Sequence, residues 1–109
     1  MRHIRINRTT TEGLKKVCGY LYEYNWYQFC LCEVDNSYYI IELSTGFGCF
    51  NLNKSECKKS GISETDAFNN LTEKLKKLKP QTFQKALLNA ITKLKGYDIE
   101  YPVNKPIIN

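Results

Sequence analysis

Apolar and polar positions alternate from Val17 to Asn51, in a stretch rich in Tyr, Phe, Ile, Val and Cys. Tyr20, Tyr22, Tyr24 and Trp26 keep one register, and Tyr27, Phe29 and Leu31 the next, the period of two that a half-buried strand requires. Three groups of turn-forming residues interrupt the pattern: Tyr24-Asn25-Trp26, Asp35-Asn36-Ser37 and Thr45-Gly46-Phe47-Gly48. Asn, Asp and Gly tolerate the positive φ of tight hairpins. The pattern predicts an antiparallel meander over 17–24, 26–34, 38–44 and 47–51. Arg2 to Asn7 alternates basic and apolar residues, as an edge strand does. For residues 11–22 two assignments stand, because Leu14, Val17, Cys18 and Leu21 also fall at helical spacing behind Thr10 or Thr11.

After a polar, unpatterned stretch from Asn53 to Gly61, read as a loop, the period changes. Ser63 and Asp66 form an approximate capping box, and Ala67, Phe68, Leu71, Leu75 and Leu78 make a helical stripe. Pro80 closes this helix or opens the next, whose stripe of Phe83, Leu87, Ala90, Ile91 and Leu94 stops at Gly96, the residue preferred just beyond a helix end. A tail from Tyr97, with Pro102 and Pro106, is expected to add at most a short strand over 97–101 and then fray. The expectation is one α+β domain over 1–109. It comprises an N-terminal arm or edge strand (1–16), a meander of three to five strands (17–51), a two-helix hairpin (63–95) packed on it, and the tail (97–109).

Charge adds a second pattern. The chain of 109 residues has a formal net charge of +5, yet between Lys16 and Lys54 there is no Lys or Arg. The acids Glu23, Glu33, Asp35 and Glu42 lie in that interval together with ten of the fourteen aromatic residues. The middle is acidic and aromatic and the two ends carry the positive excess, an asymmetry that bears on partners rather than on fold. No run approaches the about 18 consecutive apolar residues of a membrane span. The basic N-terminus leads into Thr9-Thr10-Thr11-Glu12 instead of an apolar segment, which points to a cytoplasmic protein. Cys18, Cys30, Cys32, Cys49 and Cys57 lack the spacing of a disulfide framework or a zinc knuckle. They are expected to be reduced, with Cys18, Cys30 and Cys32 acting as small core hydrophobes and no metal bound.

The residues offer little for catalysis. The single histidine, His3, sits in an N-terminus expected to be mobile, and Gly46-Phe47-Gly48 lacks the context of a nucleotide-binding loop. No enzymatic activity and no cofactor are expected. Two binding surfaces remain. Trp26, Glu33, Asp35, Tyr38 and Glu42 would form an acidic, aromatic face on the sheet that suits a basic protein partner. Because the two hairpin tips lie at opposite ends of the strand, docking is expected at the Asp35–Ser37 end, with Glu33 and Glu42 as near cross-strand neighbours beside Tyr38, and not at Trp26. Alternatively, Lys74, Lys76, Lys77 and Lys79 on the first helix would present a basic face to nucleic acid phosphates.

The run Tyr39-Ile40-Ile41-Glu42-Leu43-Ser44-Thr45-Gly46-Phe47-Gly48, followed by Gly61-Ile62-Ser63-Glu64-Thr65-Asp66-Ala67, resembles a pattern of small phage and mobile-element proteins. In these a Thr-Gly turn between strands leads to a capped helix. The resemblance covers roughly residues 20–79 and departs from the pattern in the long 53–60 connection. Such proteins include anti-CRISPR-like inhibitors of host defence. The resemblance implies a non-enzymatic inhibitor of a basic, nucleic-acid-handling host protein such as a defence nuclease. It transfers no functional residue.

Overall fold

The computed structural model describes residues 1–108. It shows an α+β fold in which β1 (His3–Thr10), β2 (Gly13–Tyr24), β3 (Tyr27–Val34), β4 (Ser37–Glu42) and β5 (Gly48–Asn53) form an antiparallel sheet in sequence order. Three helices follow, α1 (Lys54–Lys59), α2 (Glu64–Lys76) and α3 (Pro80–Gly96). Residues 11–22 therefore belong to strand, with only the tight β1–β2 turn before Gly13, and the helical spacing of Leu14, Val17, Cys18 and Leu21 is incidental. Cross-strand pairing outweighs a local helical pattern when the strand has partners on both sides.

The sheet carries apolar side chains on both faces, and each is covered differently. Phe29, Leu31, Tyr38 and Ile40 face α2, which buries Ala67, Phe68, Leu71 and Leu75 against them. Ser63 starts that helix, its Oγ accepting from the Asp66 amide at 3.1 Å. On the opposite face lie Ile6, Cys30, Cys32, Ile41 and Leu43. The β1–β2 ladder folds back over this face until the Thr9 amide donates to the Gly46 carbonyl at 2.9 Å and Thr9 Oγ1 to the Thr45 carbonyl at 2.7 Å. Gly19 permits the close crossing: a Cβ there would overlap the Leu31 carbonyl oxygen and fall 2.7 Å from Cys30 Sγ. The open sheet thereby curls over a second core.

Several expectations are corrected. The 53–61 loop contains α1, whose first turn is capped by Asn53 Oδ1 accepting from the Glu56 amide at 3.0 Å. α3 is no symmetric partner of α2, since of its residues only Leu94 is buried and Leu88 is exposed. Its stripe touches the sheet chiefly through Phe83, whose ring lies 4.6 Å from that of Tyr27. α3 runs through Gly96, and the left-handed residue beyond it is Asp98. His3 is held in β1 with its ring 4.4 Å from Tyr20. Cys18 is exposed and only Cys30, Cys32 and Cys57 are buried, because odd and even positions of β2 face opposite ways and Cys18 lies beyond the cover of α2.

The tail forms no strand over 97–101 and is pinned to the curled sheet. The Val103 amide donates to the Ser44 carbonyl at 2.6 Å. Asn104 Nδ2 bridges the carbonyls of Asn7 and Leu43, each at 2.8 Å. Gln28 pairs its side-chain amide with both backbone groups of Ile107, at 2.7 and 2.8 Å. Side chains here satisfy backbone groups that the sheet leaves open, which is why the strand pattern gives no sign of it.

Candidate binding site at the β2–β3 hairpin

The two-residue turn between β2 and β3 is made by Asn25 and Trp26, at φ 53° and 72°. Both central residues of such a hairpin turn need positive φ, and the second position is ordinarily glycine. Trp26 occupies it instead, with its side chain wholly exposed. A bulky residue in the left-handed region is strained, and this one recovers no burial in exchange. Its presence is unexplained by folding.

Beneath the turn lies a cleft of about 500 Å³ between the hairpin, α3 and the tail. Tyr24, Trp26, Tyr27 and Tyr101 supply its aromatic wall, and among the described residues Glu23 and Glu42 are the charged ones that line it, with no Lys, Arg or His. Tyr24 and Tyr101 are exposed at its rim. Glu23 Oε2 accepts from Gln28 Nε2 at 3.3 Å. Glu42 is buried, and its carboxylate accepts from the Ser44 amide and hydroxyl, at 2.7 and 2.8 Å, and from the Thr45 amide and hydroxyl, at 3.0 and 2.9 Å. All four donors are neutral, so the carboxylate holds the β4–β5 loop without a cation paired to it among the described residues. Burial, and secondarily the charge of Glu42, pushes the nearby Cys49 thiol up to about 12.

The structure overturns the docking end expected at Asp35–Ser37. Glu33 pairs across the sheet with Tyr38, while Glu42 pairs with Phe29 at the other end of β3. Glu33 and Glu42 are therefore not cross-strand neighbours. Tyr38 is buried, its ring 5.5 Å from Phe68 under α2, and is removed from any docking surface. Glu33 is paired internally with Lys54 at 2.9 Å, which raises the lysine pKa chiefly through that hydrogen bond. Asp35, at φ 55°, forms the β3–β4 turn. Of the five, Trp26 and Glu42 come together at the cleft, and Glu33, Asp35 and Tyr38 lie at the far end. Glu23 belongs to the acidic set of the central segment, whereas nothing in the sequence pattern marks Tyr24 or Tyr101, which directly precedes Pro102, as lining a site.

Lys74, Lys76, Lys77 and Lys79 are all exposed along the end of α2 and the turn after it. Lys76 Nζ lies 3.4 Å from Glu73 Oε1, and the nearby Tyr22 hydroxyl, followed by Glu73, raises its pKa. Among the described residues no three His, Cys, Asp or Glu side chains form a metal-holding group, and no helix is long and apolar enough to cross a membrane. Comparison with protein-family models, curated proteins and solved structures finds no match to this chain.

Proposed function

We propose that this chain is a non-enzymatic binding protein that docks onto a protein partner through the β2–β3 hairpin tip, and that it inhibits a basic, nucleic-acid-handling host protein. The observation that carries this reading is Trp26, wholly exposed at a backbone position that favours glycine. Tryptophan dominates protein interfaces because it removes a large apolar area from water while ordering few torsions. Strain retained at a residue that packs against nothing fits a role realised only on binding. The inhibitor class rests on the resemblance of the 39–48 and 61–67 segments and on the acidic lining of the cleft.

Affinity capture from the native host, followed by titration of the purified captured protein, tests the reading. Wild type is expected to bind and Trp26→Gly to lose binding while remaining folded. Equal binding by the two proteins overturns the hairpin as the docking element.

Exposure of Lys74, Lys76, Lys77 and Lys79 along the end of α2 and the turn after it supports a second reading, a nucleic-acid-binding module. That reading requires salt-sensitive retention of DNA or RNA, lost when Lys76 and Lys77 are both reversed to Glu.

A further inference from the structure

We infer that the cleft below the β2–β3 turn takes an arginine side chain from the protein partner, its guanidinium held against the aromatic wall of Tyr24, Trp26, Tyr27 and Tyr101 in the field of Glu23 and Glu42. This deepens the docking reading and rests on it for the identity of the partner as a protein.

Charge complementarity singles out the occupant. The chain has sixteen Lys and Arg residues and a net charge of +5, yet among the described residues the lining of this cleft contains two carboxylates and no basic side chain. A patch of negative potential on a positive molecule is selective: cations are repelled elsewhere on the surface and drawn here. Glu42 strengthens the case. A buried charge is ordinarily paired with an opposite charge, but this carboxylate is satisfied by two amides and two hydroxyls, all neutral. Among the described residues no Lys or Arg forms an ion pair with it, Lys93 standing on the other side in the cleft beside Phe47 and Cys49. A cation entering below the turn is stabilised without breaking any of those four bonds.

The aromatic wall chooses among cations. Tyr and Trp faces attract cations through the ring quadrupole, and guanidinium, being planar and weakly hydrated, stacks on such faces at less desolvation cost than ammonium. The volume, about 500 Å³, accommodates one long side chain with part of its backbone rather than a folded element. The neighbouring cleft of about 200 Å³, lined by Tyr24, Phe29, Leu75, Lys76 and Phe83, already contains a lysine and lacks a carboxylate. It does not compete for the same ligand.

Trp26 is the sole tryptophan of the chain, so its intrinsic fluorescence reports occupancy directly. A short peptide with one central arginine, capped at both ends, is titrated against the wild-type protein and compared with the same peptide carrying citrulline, the neutral isostere. The expected result is saturable quenching or a spectral shift with the arginine peptide, about tenfold weaker binding of the citrulline peptide, and weakened arginine binding by Glu23→Gln. Glu23 is exposed, so this variant is expected to fold, which circular dichroism verifies. Equal response to both peptides, no response to either, or no effect of Glu23→Gln overturns the inference. If the arginine peptide fails while Trp26→Gly still abolishes capture of the purified partner, the cation site is wrong and the docking reading stands. If the arginine peptide binds as expected but Trp26→Gly captures the partner normally, the docking reading is wrong and the cation site stands.

Discussion

Asn7 and Asn104, 97 positions apart, pair as neighbouring strands do: the Asn7 amide donates to Asn104 Oδ1 at 2.8 Å and Asn104 Nδ2 donates to the Asn7 carbonyl at 2.8 Å. One side-chain amide thus reproduces both hydrogen bonds of a missing strand and anchors the tail that forms one wall of the cleft. Replacing Asn104 with Ala leaves both Asn7 groups and the Leu43 carbonyl to partial solvation, a loss of about 1–2 kcal/mol. Urea denaturation measures the loss, and faster proteolysis beyond Gly96 in the variant is the accompanying sign that the tail has been released.

Trp26→Gly is expected to leave stability unchanged or raise it by up to about 1 kcal/mol, since glycine adopts the left-handed turn without strain and the indole makes no packing to lose. Thermal melts of the two proteins check this. A fall of more than about 1 kcal/mol would mean that the ring supports the fold, and the argument for a binding role would lose its basis.

The two glycines Gly13 and Gly19 separate strain from steric overlap. Gly13 has φ +107° but open space around it, whereas Gly19 has no positive φ and no room for a Cβ. Gly13→Ala should cost about 1 kcal/mol. Gly19→Ala should cost about 3 kcal/mol or more, because Leu31 backbone cannot move aside without breaking the β2–β3 ladder. Denaturant midpoints give the order, and a reversed order would refute the role assigned to the bend at Gly19.

Truncating Glu42 to Ala removes the acceptor for four donors at once and orphans the buried Thr45 amide, a loss of about 2–3 kcal/mol. Glu33→Ala removes only a partly exposed pair with Lys54, and its effect should stay within about 0.5 kcal/mol. Chemical denaturation of the two variants distinguishes a structural carboxylate from a surface one.

Thiol reactivity follows burial. In native protein near pH 8 Cys18 should react quickly with an aromatic disulfide reagent, while Cys30, Cys32, Cys57 and Cys49 lag, and all five should be counted after denaturation. Because the folded pKa of Cys49 is raised to about 12, the folded state holds this proton more tightly than the unfolded chain. The associated stability is intact below the ordinary thiol range and is lost as pH rises from there towards 12. Alkaline melts of wild type and Cys49→Ala should diverge only in that window.

The sequence by itself determined the fold class, the strand order and the places where the chain turns. These depend on local chemistry: alternation at period two, Asn, Asp and Gly at the tips, Ser63 and Pro80 at helix starts. The same locality explains what it missed. α1 relies on a single Asn53 cap in a polar stretch with no apolar stripe to reveal it. The docking end at Asp35–Ser37 does not survive in the fold because alternation says which residues share a face but not which face a helix will cover. α2 took the Tyr38 face and buried it, leaving Trp26 exposed at the hairpin tip. Glu42 looked like a surface acid because nothing in Glu42-Leu43-Ser44-Thr45 announces that the carboxylate folds back onto its own loop. Only the tertiary structure, by rolling the sheet at Gly19 and tying the tail through Asn104 and Gln28, brought Glu23, Glu42 and Tyr101 to one cleft. Such contacts lie far apart in sequence and carry no periodic signature. They exist because backbone groups left open by the sheet must find partners wherever the chain can supply them.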